Sequence, residues 1–414
     1  MGILDTSVSG MLANSNWLSN IAQNTANSST IGYKSLDTEF SALVDQNSGS
    51  VLAGSGVLSS TQSLNAAQGQ IESATTSTDL AVQGSGFFVV SNSAGDTFLT
   101  RNGSFVPDAS GNLVNSAGYY LMGADTQTDP ANGSVNSLAQ LTTVNVQGAA
   151  DSATPSMTGS LVANLPSTAT TVAAADLPST NTAASASTDE TTMVAYDNLG
   201  GAHTINLYFS KTGSDTWEVD AYDSGAAAAG GGFPYSSGPL ATQTLDFNPT
   251  TGALSNGSPL TFTVPGGQTV SVDLSQSTQL ATSFGVNSAT INGNAPGSLT
   301  GTTISSSGVL SFQYSNGAAS NAYVIPLANV ASPNNLTSST GGAYQANSSS
   351  GQVTIGNAGT AGLGSIDSSS LEESTVDLAT ELTSMVEAQS AYEANSKVFQ
   401  TGSDILSILN NLKA

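Results

Sequence analysis

Residues 371–414 read LEESTVDLATELTSMVEAQSAYEANSKVFQTGSDILSILNNLKA, and the spacing of their apolar side chains decides the architecture. Leu371, Leu378, Met385, Tyr392, Phe399 and Leu406 fall in one unbroken seven-residue register. Val398, Ile405 and Leu412 add a second row toward the C-terminus. An apolar residue at every seventh position keeps one seam of a helix facing a partner, the requirement of a coiled coil. The alternate seam positions Thr375, Gln389, Ser396, Ser403 and Asn410 are polar, with Leu382 the exception. That stripe is too narrow for a self-sufficient zipper and fits a helix packed into a larger assembly. An intramolecular pair of helices closing the fold is the alternative. Ser370 followed by Glu373 matches a capping box and places the helix start there. About 40 residues of helix would run roughly 60 Å.

Working outward, the N-terminus carries the matching element. Leu4, Met11 and Leu18 repeat at seven residues, with Val8 and Ile21 flanking the stripe. Between the ends the period changes to strand. Residues 80–90 read as a strand, followed by a turn at Ser93-Ala94-Gly95-Asp96 and a second strand, Thr97-Phe98-Leu99-Thr100. Turns at Asn102-Gly103 and Gly111-Asn112 continue a tight meander. Further strand blocks run from Thr191 to Phe209, folded at Asp197-Asn198-Leu199-Gly200-Gly201, and from Gly308 to Ile325. Residues 166–190 and 224–239 are rich in Ala, Ser, Thr and Gly and read as linkers or long loops. Residues 28–78 lack a strong period and are expected to run extended between helix and sheet. The fold class is therefore multi-domain and mainly β, with N- and C-terminal helices pairing in a coiled-coil-like inner core.

The 414 residues are 38% hydrophobic but only 8% charged, against roughly 25% charged in ordinary soluble domains. Such polar, nearly uncharged surfaces suit secreted β-rich proteins and subunits of extracellular polymers. The net charge of −24 sets 29 acids against five bases, Lys34, Arg101, Lys211, Lys397 and Lys413. Five scattered bases cannot neutralise a phosphate backbone, so nucleic acid is excluded as a partner. Anionic membrane surfaces are disfavoured likewise, and no apolar run approaches a membrane span. Without cysteine there is no disulfide, zinc thiolate or thiol nucleophile. The first basic residue is Lys34, so no cleaved secretory signal is expected, and a specialised export route reconciles this with an extracellular composition.

Enzyme chemistry finds little to work with. His203 is the single histidine, at the start of a strand after a Gly-Gly turn, and no Gly-x-Ser-x-Gly elbow accompanies it. An exposed strand-edge histidine is the ordinary reading. Asp189-Glu190 and Glu372-Glu373 are sequence neighbours, which does not bring two carboxylates across a cleft. Gly54-Ser55-Gly56 and Gly84-Ser85-Gly86 lack the third glycine of a dinucleotide site, and no calcium-loop spacing is present. No cofactor or metal site is assigned.

Three segments together resemble the flagellar rod and hook family. The first is Ser9-Gly10-Met11-Leu12 to Asn24-Thr25-Ala26-Asn27, followed by Thr30-Ile31-Gly32-Tyr33-Lys34. The second is Asp79-Leu80-Ala81-Val82-Gln83-Gly84-Ser85-Gly86-Phe87-Phe88, continued by Thr100-Arg101-Asn102-Gly103-Ser104-Phe105, Gly111-Asn112-Leu113-Val114 and Gly118-Tyr119. The third runs from Met385 through Ala391-Tyr392-Glu393-Ala394-Asn395 to Val398, with Asp404-Ile405-Leu406 after it. The long β-rich insert between the second and third segments points to the hook branch of the family. Distal rod and hook–filament junction proteins are the alternatives within it, and a secreted adhesin or surface-layer protein is the alternative outside it.

The resemblance implies a structural subunit that polymerises into a flexible tube, transmits torque from rod to filament and encloses an export channel. It implies a helical polymerisation core at 1–28 and 370–414, then an extended linker at 29–74. A discontinuous β domain at 75–155 and 287–369 would carry an inserted outer β domain at 156–286. Partners implied are further copies of the chain, the rod, the hook cap, the hook–filament junction protein and the type III export apparatus. The implied location is the flagellar basal body and hook, outside the cell.

Overall fold

A computed structural model describes residues 3–44, 54–126, 137–147 and 151–412. Two long helices, α1 (Ile3–Ala26) and α2 (Leu378–Leu412), stand at the ends of a chain that is otherwise mainly strand. The chain divides into two compact units, the first comprising 1–148, 302–312 and 320–414, the second 149–301 and 313–319. The second unit holds the expected insert 156–286 together with 149–155, 287–301 and 313–319, which the sequence reading had put in the discontinuous β domain.

In the first unit, β1 (Leu36–Val44) and β2 (Gly54–Ser63) form an antiparallel hairpin. The extended linker expected over 29–74 is thus corrected to a two-stranded ribbon lying on α1. Its strands mix a few apolar residues such as Leu36, Phe40, Leu43 and Leu58 irregularly with Ser, Thr, Asp and Gly, so they show no regular apolar alternation, and polar contacts hold the ribbon to the helix. Asn20 donates through Nδ2 to Thr38 Oγ1 at 2.7 Å and Thr61 Oγ1 at 2.8 Å. Asn16 donates to Ser59 Oγ at 3.1 Å, and Asn24 binds both the N–H and the C=O of Leu36 at 2.8 Å. Asn16, Asn20 and Asn24 recur every four residues, one helix face, and that spacing was the available signal.

The strand expected over 80–90 is two strands. β4 (Leu80–Gln83) pairs with Ser365–Ser368, and β5 (Phe87–Ser91) pairs with β6 (Thr97–Thr100) in a larger sheet. Gly84 at φ +100° and Gly86 at φ +129° occupy backbone conformations that side chains rarely adopt, and they turn the chain between sheets. β5 is buried along its whole length, and Phe87, Val89, Leu99, Ala328 and Tyr344 pack into one core.

The second unit is a β-sandwich. One sheet has strands in the order Asp189–Tyr196, Ala202–Lys211, Thr216–Asp223, Ala241–Phe247 and Leu254–Asn256, all antiparallel. The other is built around Thr158–Pro166 and Leu260–Thr263, Thr269–Asp273, Thr278–Leu280 and Gly285–Ile291. Leu161, Ile205, Phe209, Trp217, Val219, Phe262 and Val272 fill the space between them. Strand alternation then turns Glu218, Asp220 and Tyr222 to the opposite face of the first sheet. The segments expected as linkers, 166–190 and 224–239, lie ordered across that face. Tyr222 Oη donates to the Pro178 carbonyl at 2.7 Å, and Asn181 Nδ2 donates to the Tyr235 carbonyl at 2.9 Å.

Candidate assembly surface on the terminal helices

Helix α2 begins later than its sequence suggested. Ser370–Glu372 is a short strand paired with β3 (Ile71–Ser73), which corrects the capping box at Ser370 and Glu373 and removes Leu371 from the helical row. The observed cap is Asp377, whose Oδ1 accepts the N–H groups of Ala379 at 2.8 Å and Thr380 at 3.2 Å.

The strand ending in Glu372 is where the helical pair joins the β framework. The Glu372 side chain is fully buried; its Oε1 accepts from Lys34 Nζ at 2.5 Å and from the Gly69 N–H at 2.7 Å. Its Oε2 accepts from Arg101 Nη1 at 2.9 Å. Arg101 continues to the carbonyls of Val82 and Gly84 and lies over the Phe87 ring. Burial pulls the Lys34 ammonium below the usual lysine range, while Glu372 acts in the other direction. Two of the five basic residues are thus spent inside one unit, tying the exit of α1, the 67–72 segment, β4 and the entry of α2.

The helices run antiparallel against each other, with Gly10 opposite Asn395 and Asn24 Nδ2 donating to Glu381 Oε1 at 2.8 Å. Within the chain the positions that face α1 or are buried include Glu381, Ala388 and Asn395, with Gly402 buried one heptad further on, and not only the apolar heptad row. These four also repeat every seven residues, but as small or polar side chains they carry no hydrophobic signal. Close approach is what they permit: a Cβ at Gly10 would come within 2.8 Å of Asn395 Oδ1. Asn14 and Asn395 satisfy their amides on their own helices, donating to Gly10 O and Ala391 O. Glu381 has its carboxyl pushed up by burial, against the Asn24 hydrogen bond.

The expected polymerisation residues separate into three groups. Ile21 is buried, and Leu4, Met11, Leu18, Met385 and Phe399 are half-buried, as is Leu371 in its strand. Val8, Leu378, Leu382, Tyr392, Val398, Ile405 and Leu406 are exposed. The Leu412 side chain lies outside the described residues. Leu12, Val386 and Ile408 are exposed too, at 63%, 63% and 61%, and were not singled out in the sequence. A band of large apolar side chains thus runs along α2 with neither α1 nor the β framework covering it. Each such side chain, if buried, is worth about 1.5–3 kcal/mol.

His203 is not at a sheet edge. It starts an inner strand, with Nδ1 at 3.2 Å from Asp223 Oδ2 and Nε2 at 3.6 Å from Asp197 Oδ2. Among the described residues no group of three or more acids and histidines could hold a metal, and no helix is long and apolar enough to cross a membrane.

Comparison with known proteins decides the family. Residues 81–163 match the flagellar hook protein FlgE/F/G D1 domain, residues 164–294 the flagellar basal body protein FlaE D2 domain, and residues 367–412 the flagellar basal body rod FlgEFG protein C-terminal segment. Flagellar hook protein FlgE of Brucella suis is 42% identical over 414 residues, covering 100% of this chain and 99% of the relative. The chain belongs to the flagellar hook protein family. The Salmonella typhimurium hook protein is 32% identical over 417 residues and 98% of each chain. The crystal structure of Helicobacter pylori flagellar hook protein FlgE2 shares the fold, with a TM-score of 0.50 at 15% identity over 71% of this chain and 98% of that one. A hook family member is a structural subunit of the flagellum and not an enzyme, and the adhesin alternative has no support.

Proposed function

We propose that the terminal helices are the polymerisation elements of this hook subunit. Copies pack the open apolar faces of α1 and α2 against one another in a coiled-coil-like core that forms a tube around an export channel. The supporting observation is the exposed row Leu378, Leu382, Val386, Val398, Ile405 and Leu406, which one chain leaves without a partner. The outer β units face outward and touch through polar surfaces of Ser, Thr, Asn and Ala. Few ion pairs lock any one register there, which suits a joint that bends while transmitting torque. Rod, hook cap, hook–filament junction protein and type III export apparatus are the partners this role requires, with export proceeding without a cleaved signal.

Electron microscopy of the purified chain tests the proposal. The unaltered chain and Gln400→Asp, at an exposed polar position, should both build curved tubes. Val386→Asp forfeits about 1.5–3 kcal/mol of burial in every subunit and adds a desolvation cost of several kcal/mol, so it should build none. Its monomer should unfold at the unaltered temperature, because Val386 is exposed in the single chain. Normal tubes from Val386→Asp would overturn the assignment, and a straight tube from the unaltered chain would favour a rod over a hook.

A further inference from the structure

The second unit contains a buried acid that the assembly role does not use. Asp220 sits in the middle of the Thr216–Asp223 strand and has no exposed surface. Its Oδ1 accepts from Thr242 Oγ1 at 2.6 Å, its Oδ2 is buried, and the Ser179 backbone N–H faces the same carboxyl. Two residues away on the same face, Glu218 Oε1 accepts from Ser179 Oγ at 2.7 Å. Ser179 belongs to a strap, residues 173–187, which crosses the sheet. The strap's ends are fixed by the Val172 N–H on the Lys211 carbonyl and the Thr188 N–H on the Phe209 carbonyl. At its middle it rests on Glu218 and on the Tyr222 hydroxyl, which donates to Pro178 O.

The titratable groups around Asp220 are all acids or phenols. Glu218 and Tyr222 share its strand, and Tyr208 is its cross-strand neighbour with Glu190 one strand beyond. Tyr235, stacked on Tyr222, comes from the 224–239 segment, while the Ala241–Phe247 strand brings only Thr242. The unit's lysine, Lys211, donates to the carbonyls of Ser167 and Ala169, and His203 sits between Asp197 and Asp223. No cation faces Asp220 among these groups.

We propose that residues 173–187 are a proton-controlled strap, closed over the Tyr208, Tyr222 and Tyr235 face while Asp220 is protonated and lifted when it ionises. A buried negative charge at Asp220 beside Glu218 is relieved most cheaply by admitting water, and the strap rests on that Glu218 carboxylate through Ser179. Burial, then repulsion from Glu218, pushes the Asp220 carboxyl up to about 7, with the hydrogen bonds from Thr242 and the Ser179 N–H opposing. A raised acid stabilises the closed form fully below its open-state value, and that stabilisation is lost as pH rises through about 7.

Hydrogen exchange of the full-length monomer, expressed as protection factors so that intrinsic rates cancel, reads the strap directly. Protection over residues 176–182 should fall by about tenfold or more between about pH 5 and about pH 8.5. Protection in the Thr216–Asp223 strand should fall far less. Asp220→Asn should keep the strap protected at both values, and Glu218→Gln, which removes the repulsion acting on an ionised Asp220, should move the midpoint to lower pH. PH-independent protection in the unaltered chain, or pH dependence that survives in Asp220→Asn, would overturn the proposal. Should Asp220→Asn not fold, the Glu218→Gln midpoint decides: an unmoved midpoint contradicts it.

Discussion

Lys34 Nζ lies 2.5 Å from Glu372 Oε1, across 338 residues of chain, and both side chains are fully buried. The contact joins the segment leaving α1 to the strand entering α2, and Arg101 closes the same carboxylate from the β framework. The terminal helices therefore join the β framework of the first unit at a node of three charged side chains. Lys34 and Arg101 sit in two of the sequence segments that carry the family resemblance, and Glu372 supplies what those segments share.

Removing the shared partner should be costly. Glu372→Gln leaves two buried cations facing a neutral amide, and breaking a buried pair typically costs about 3–5 kcal/mol. The chain has two tryptophans, Trp17 on α1 and Trp217 in the core of the second unit, so each unit carries its own fluorescent reporter. In urea, Glu372→Gln in a Trp217→Phe background should shift the Trp17 transition to lower denaturant. In a Trp17→Phe background the Trp217 transition should stay in place.

The helix seam is tight at Gly10. Val at that position drives its branched side chain into Asn395, and overpacking of this kind costs about 1–3 kcal/mol. Gly10→Val should lower helical circular dichroism or the Trp17 midpoint, and adding Asn395→Gly should recover part of the loss. Equal stability of Gly10→Val and the unaltered chain would show that the helices do not approach so closely.

The terminal helices were legible because Leu378 to Leu406 repeat at seven residues, yet the row that packs inside the chain was not. Glu381, Ala388, Asn395 and Gly402 have the same spacing and carry no hydrophobic contrast. The polar hairpin of β1 and β2 was hidden for a related reason: Asn20 holds Thr38 and Thr61 by hydrogen bonds, which leave no apolar pattern. Glu372 read only as the sequence neighbour of Glu373 because its partners Lys34 and Arg101 are hundreds of residues away. The Ala- and Ser-rich straps read as linkers because their order comes from Tyr222, Glu218 and Tyr235 beneath them.

The start of α2 can be tested by capping. Asp377→Ala removes the acceptor for two helical N–H groups and should cost about 0.5–2 kcal/mol. Ser370→Ala, at the position the sequence favoured, removes a long hydrogen bond to the Ser368 carbonyl but none to a helical N–H, and should leave the stability of α2 within about 0.5 kcal/mol. A larger loss from Ser370→Ala than from Asp377→Ala would restore the earlier start.

Because the chain has no cysteine, a single introduced thiol reports on one position. Val386→Cys, on the open apolar row of α2, and Leu199→Cys, on an exposed turn of the second unit, should both react rapidly with a thiol reagent in the monomer. In assembled tubes Val386→Cys should become protected while Leu199→Cys, on a turn of the second unit, keeps reacting. Equal reactivity of Val386→Cys in monomer and tube would contradict polymerisation through the terminal helices.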